Sequence, residues 1–143
     1  MVQYSDRLME MKISESDLIR MFKDKWDNLI DAQIQGKRRI FAKITKENCR
    51  IVVDFLRKKF SAHLITINIL DSNSLFEIIY HFDIQGILLS LKTTTTKLTH
   101  QPHTISDIIS SAGYYEKEVA DSFGLTFIGQ EDKNQQLIDA TAN

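Results

Sequence analysis

The chain has 143 residues, of which 43% are hydrophobic and 26% charged, enough for one domain with its own core and too apolar for a disordered chain. A net charge of −1 gives no electrostatic reason to expect nucleic acid or an anionic membrane surface as a partner. Cys49 is the only cysteine, which excludes an intrachain disulfide and leaves an iron–sulfur cluster, normally held by several thiolates, without ligands.

Met1 to Ser14 carries Asp6, Arg7 and Glu10 and lacks the apolar stretch of a signal peptide. No apolar run approaches the length of a membrane span. Together with the lone cysteine, this predicts a cytoplasmic chain that meets a membrane only through partners. Ser14 followed by Asp17 reads as a helix start, and Leu18, Ile19, Phe22 and Trp26 then recur at helical spacing. From Ile30 the period changes to two: Ile30, Ala32 and Ile34 alternate with Asp31, Gln33 and Gln35. Residues 35–38 form a turn, and Arg39 to Ile44 a return strand.

Thr45 is placed to cap a second helix, Lys46 to Phe60, with Cys49, Val52, Val53, Leu56 and Phe60 on its apolar side. Its last turn, Arg57-Lys58-Lys59, sets cations where they complement the helix dipole. Three strands follow: Ala62 to Leu70, Leu75 to Phe82 and Ile87 to Thr96. In the first, strict alternation sets Leu64 opposite Ile65, Ile67 and Ile69. The turns between the strands are Asp71 to Ser74 and Asp83 to Gly86. A loop containing Pro102 leads to a short helix, Thr104 to Ile109, broken near Gly113.

The densest segment is Gly113 to Gly129. Gly113 and Gly124 bracket a helix of about three turns, and Gly124 suits a left-handed cap. Tyr115, Val119 and Phe123 form an apolar line, and Tyr114, Glu118 and Asp121 lie on a neighbouring face. Glu116 falls near the apolar side, where an unpaired carboxylate is costly. On spacing alone this is an amphipathic helix with solvated acids. Phe127 and Gly129 belong to a strand beyond it.

The same segment resembles the signature of the thirty-kilodalton subunit family of NADH:ubiquinone oxidoreductase (respiratory complex I). That family includes the matching hydrophilic subunit of membrane-bound, energy-converting [NiFe] hydrogenases. The family pattern is aromatic-x-Glu-Arg-Glu-x-x-Asp-x-aromatic-Gly-x-x-Phe-x-Gly. Tyr114, Glu116, Lys117, Glu118, Asp121, Phe123, Gly124, Phe127 and Gly129 fill it, with Lys117 in place of the usual arginine. The resemblance extends back to about Ile51 and takes in residues 76–81 as the family's middle strand and Thr104 to Asp107 as the short helix before its signature. It implies that the acidic face fixes the local fold and docks on a partner. It implies a non-catalytic, cofactor-free accessory subunit, bracing the large nickel-site-type subunit and the small iron–sulfur subunit of a hydrogenase or complex I relative. Tyr114, Tyr115, Glu116, Lys117, Glu118, Asp121 and Phe123 are then the interface residues. After Gly129 the sequence departs from the usual complex I continuation, and its short polar tail is more similar to the hydrogenase-type branch or another minimal relative.

Other constellations are poorer. His100 and His103 have the spacing of half a metal site, but Pro102 lies between them and no further ligands complete it. His63 and His81 read as sheet residues, and Cys49 as a small core side chain. No glycine-rich nucleotide loop or nucleophile elbow is present. Glu116, Glu118 and Asp121 are a conceivable acid–base cluster without an oxyanion donor set. The basic clusters at residues 37–39 and 57–59 supply the competing function: a free-standing domain binding nucleic acid or an acidic partner. The expected architecture is one α+β domain spanning residues 1–143, with an antiparallel or mixed sheet, helices packed on one face, and a short polar tail at 130–143.

Overall fold

The computed structural model describes residues 12–97 and 101–129. The first helix, α1 (Glu15–Trp26), starts where Ser14 Oγ accepts the Asp17 backbone N–H at 3.1 Å and buries Leu18 and Phe22. Strands β1 (Ile30–Gly36) and β2 (Arg39–Ile44) form an antiparallel hairpin pairing Ile30 with Ile44, Ala32 with Ala42 and Ile34 with Ile40. Helix α2 (Lys46–Phe60) buries Cys49, Val52, Val53 and Leu56. Thr45 does not cap it through its side chain; its hydroxyl accepts instead from the Asn48 side-chain amide at 2.9 Å. The helix ends at Ser61, in the left-handed region with φ 51°.

Strands β3 (His63–Ser72), β4 (Leu75–Ile84) and β5 (Ile87–Thr96) form an antiparallel meander. The sheet order is β1-β2-β5-β4-β3, with β2 parallel to β5, so the sheet is mixed and the fold is α+β. Along β4, Phe76, Ile78, Tyr80, Phe82 and Ile84 are buried while their alternates are half-buried, which defines the core face. The helices cover that face, and Phe123 of the last helix, α3 (Ala112–Phe123), meets Phe76 edge-on at 6.0 Å between centroids.

Strict alternation fails in β3. The pairing shifts between Leu64 and Thr66, leaving Ile65 as an extra residue in a bulge. The bulge reverses the parity, so Leu64, Ile67 and Ile69 face Phe82, Tyr80 and Ile78 on the core side, and Ile65 is exposed. The short helix expected at Thr104 to Ile109 is a series of turns, closed by the N–H groups of Ile108 and Ile109 on the Ile105 carbonyl. Gly113 lies inside α3 and does not precede it. Gly124 takes the left-handed cap with φ 69°. The strand expected at Phe127 and Gly129 reduces to a single parallel bridge between His103 and Ile128.

Candidate functional site

Glu116 is fully buried on the inner side of α3. A carboxylate there needs donors, and the turn before the helix provides them. The Thr104 hydroxyl donates to Oε1 at 2.5 Å, and the Ile105 backbone N–H donates to Oε2 at 2.8 Å. The Thr104 hydroxyl has one proton, committed to Glu116, so Ser106 Oγ, 2.8 Å away, donates to Thr104 in turn. The Ser106 N–H also donates to Thr104 Oγ1 at 3.0 Å. Burial pushes the Glu116 carboxyl up to about 6; the bonds from Thr104 and Ile105 pull it down, nearby Asp107 raises it again and Arg50 lowers it.

Helix α2 grips the same turn from the other side. Arg50 donates to the Thr104 carbonyl and, through both terminal nitrogens, to the two carboxylate oxygens of Asp107 at 2.7 Å each. Arg57 Nε donates to the Ile108 carbonyl at 2.7 Å. Sequence reading gave Arg57 a dipole role and passed over Arg50. The signal was available: the two arginines are seven apart, hence on one side of a helix, and Thr104 to Asp107 offers them a carboxylate.

The end of the signature closes on Thr104 as well. The Thr104 N–H donates to the Ile128 carbonyl and the Ile128 N–H to the Pro102 carbonyl, both at 2.8 Å. Phe127 is buried in the core, and Gly129, with positive φ, backs onto the Thr104 methyl. Glu116, Ile128 and Gly129 thus converge on one turn held to α2, and Gly124 makes the reversal between them possible.

The remaining signature residues point away from this turn. Tyr114, Lys117, Glu118 and Asp121 are exposed on the outer side of α3, and Tyr114 is 67% exposed. The neighbouring Glu118 carboxylate holds the Tyr114 phenol above its usual range. Tyr115 and Val119 are partly buried, and Tyr115 meets Tyr114 edge-on at 5.5 Å. Phe123 is 37% exposed and lies at the margin of the core, so the expected apolar line ends at the surface. The acids split between the two sides of α3, with Glu116 inside and Glu118 and Asp121 outside. They do not form one acid–base cluster.

The other candidates are dispersed. Cys49 is buried, and burial, with Glu116 nearby, pushes its thiol up to about 12, far from a reactive thiolate. His100 lies outside the described residues, and His103 is exposed at the bridge. Among the described residues no group of three or more histidine, cysteine or acidic side chains is arranged to hold a metal. In the cluster at residues 37–39, Arg38 is consumed internally: it pairs with Glu15 at 3.2 Å and donates to the carbonyls of Ile13 and Gln85. In the second cluster Arg57 holds the turn and Lys58 pairs with Asp54 at 3.0 Å. The free-standing nucleic-acid or acidic-partner domain gains no support from this arrangement.

The mixed five-stranded sheet with three helices is a fold shared with two solved structures. One solved structure with this fold is from the membrane-bound sulfane sulfur reductase (MBS), an archaeal respiratory membrane complex. It matches with a TM-score of 0.74 and 20% identity over 80% of this chain and 70% of that chain. Another, the trypsin-resistant fragment of Nqo5, matches with a TM-score of 0.68 and 19% identity over 79% of this chain and 96% of that chain. Among curated proteins no match to the chain is found. The sequence pattern of the respiratory-chain NADH dehydrogenase 30 Kd subunit family matches residues 42–142, and the chain belongs to that family. The match extends past the stretch Ile51 to Gly129 at both ends. Among the described residues no helix is long and apolar enough to cross a membrane.

Proposed function

We propose that this chain is a non-catalytic, cofactor-free accessory subunit of a complex I-like or membrane-bound hydrogenase assembly. It braces the large nickel-site-type subunit and the small iron–sulfur subunit and reaches the membrane through them. The observation carrying this reading is the division of the family signature between the two sides of α3. The inner residue, Glu116, spends both carboxylate oxygens on the preceding turn. The outer residues Tyr114, Lys117, Glu118 and Asp121 are left on the surface, with an aromatic ring 67% exposed among charges. Exposed tyrosine among charged groups is the composition of a protein interface, where an aromatic anchor contributes most and surrounding charges set orientation.

Co-purification from cells carrying the whole assembly tests this. The tagged chain should bring down subunits containing iron–sulfur clusters, and Tyr114→Ala with Glu118→Ala should weaken that capture while the chain stays folded. Recovery of the wild-type chain alone, with no cluster-containing partner, would overturn it.

A further inference from the structure

The end of α1 meets α2 in a groove of about 450 Å³, none of whose lining residues belongs to the Thr104 turn or to α3. Its floor is aromatic: Trp26 and Phe55, both half-buried, meet edge-on at 5.0 Å between ring centres. Ile51, one turn before Phe55 on α2, extends this floor and is 54% exposed. The described residues leave this apolar patch open to solvent.

The rim is basic. Lys25 Nζ stands 5.2 Å from the Phe55 ring centre and 5.5 Å from that of Trp26, which holds the ammonium group over the aromatic floor. Lys58 and Lys59 line the groove as well. Asp54 is the only acid lining it, and Lys58 pairs with that carboxylate at 3.0 Å. Among the described residues Lys25 and Lys59 make no ion pair.

We infer that this groove is a second docking site, which receives a segment of a partner subunit carrying an aliphatic or aromatic side chain flanked by carboxylates. The inference rests on the bracing function proposed above, because a brace needs two separate faces and the outer side of α3 is one. The groove sets the chemistry of its occupant. The anchor side chain lies against Trp26, Phe55 and Ile51, where its burial removes apolar surface from water. The carboxylates meet Lys25 and Lys59, whose charges have no internal partner. A basic segment is disfavoured, because it would face three lysines and one acid already taken.

Two measurements on the co-purified assembly test this. Carbodiimide treatment joins lysines to carboxylates in direct contact, so mass spectrometry of the wild-type assembly should find Lys25 or Lys59 linked to an acidic residue of a partner subunit. Ile51→Cys then reports whether the floor is covered. Cys49 is buried, with its thiol pushed up to about 12, and does not compete for a maleimide label. Labelling at position 51 should be slower in the assembly than in the isolated chain by about tenfold. Adding Lys25→Glu and Lys59→Glu, with far-UV circular dichroism confirming the fold, should bring the rate back to within about twofold of the isolated chain. Recovery of the wild-type chain without any partner subunit would overturn this inference together with the function it rests on. Partners recovered with position 51 labelled at the isolated rate would overturn the groove alone. So would crosslinks that join Lys25 and Lys59 only to a second copy of this chain.

Discussion

Gly129 lies so close to Thr104 that a Cβ built on it would stand 2.8 Å from the threonine Cγ2. Its φ of 98° is also outside the range that side chains tolerate well. Two independent penalties therefore act at one position, and they act on the residue whose hydroxyl serves Glu116. Gly129→Ala should cost about 2–3 kcal/mol, read as a lower denaturation midpoint in urea. Gly124→Ala is the comparison: its φ is 69°, but no atom lies within 4 Å of the position its Cβ would take, so it should cost only about 1 kcal/mol. Equal losses at the two sites would mean that the contact with Thr104 is unimportant.

Replacing Glu116 separates its shape from its charge. Glu116→Ala leaves the Ile105 N–H and the Thr104 hydroxyl buried without their acceptor and opens a void, for a loss of about 3 kcal/mol or more. Glu116→Gln can still accept from Ile105 through its carbonyl oxygen and donate its amide to Thr104, whose own proton then turns to Ser106. That variant should lose less than about 1 kcal/mol. Unfolding curves of the two variants side by side decide this.

The same carboxyl predicts an unusual pH dependence. Its folded-state value, about 6, lies above the ordinary 4.5 because burial disfavours the charge. The folded chain therefore binds a proton more readily than the unfolded chain between these values. Stability from this group is fully present below about pH 4.5 and is lost as pH rises through about 6, for a total near 2 kcal/mol. Stability measured from pH 4.5 to 7 should fall by more in the wild-type chain than in Glu116→Gln. Parallel profiles would show that the buried carboxyl titrates normally.

Glu118→Ala with Asp121→Ala should behave in the opposite way to Glu116→Ala. Both side chains are exposed, and exposed charges contribute little to folding. The melting temperature of the isolated chain should be unchanged while capture of partner subunits falls. If capture also stays constant, the outer side of α3 is a solvated surface and the docking face lies elsewhere.

Arg50→Lys tests the clamp from α2. A lysine can follow one of the three bonds but cannot make the paired contact with both Asp107 oxygens. Because the pair is partly exposed, the loss should be modest, about 1 kcal/mol. Its more specific sign should be faster amide exchange at Ile105 to Ile109, with exchange in β4 unaffected.

Much of this architecture is legible in the sequence because it is local. Ser14 with Asp17 marks the start of α1, the alternation of Ile30, Ala32 and Ile34 marks β1, and Gly124 marks the end of α3. What failed were features decided by distant residues. Nothing near Ile65 announces a bulge; the parity of β3 is set by the need of Leu64, Ile67 and Ile69 to face β4 together. The turn at Thr104 has the composition of a helix start, but its donors are drawn to Glu116 and its carbonyls to Arg50 and Arg57, and these interactions outweigh local preference. For the signature, the spacing placed Glu116 near the core side and Tyr114, Glu118 and Asp121 on another, as observed. It could not show that Glu116, Ile128 and Gly129 meet at one threonine, because that convergence exists only in three dimensions.

The parallel pairing of β2 with β5 has a consequence for how the chain is made. The strands of the meander are joined by two-residue turns and can assemble as they leave the ribosome. The β1–β2 hairpin emerges earlier but has to wait, because Arg39–Lys43 pairs with Leu88–Lys92, synthesised long afterwards. Until then Ile40, Ala42 and Ile44 have only β1 and the nearby helices to cover them. The nascent chain therefore carries an incompletely covered apolar hairpin through about a third of its synthesis, the interval in which a holdase chaperone would find it.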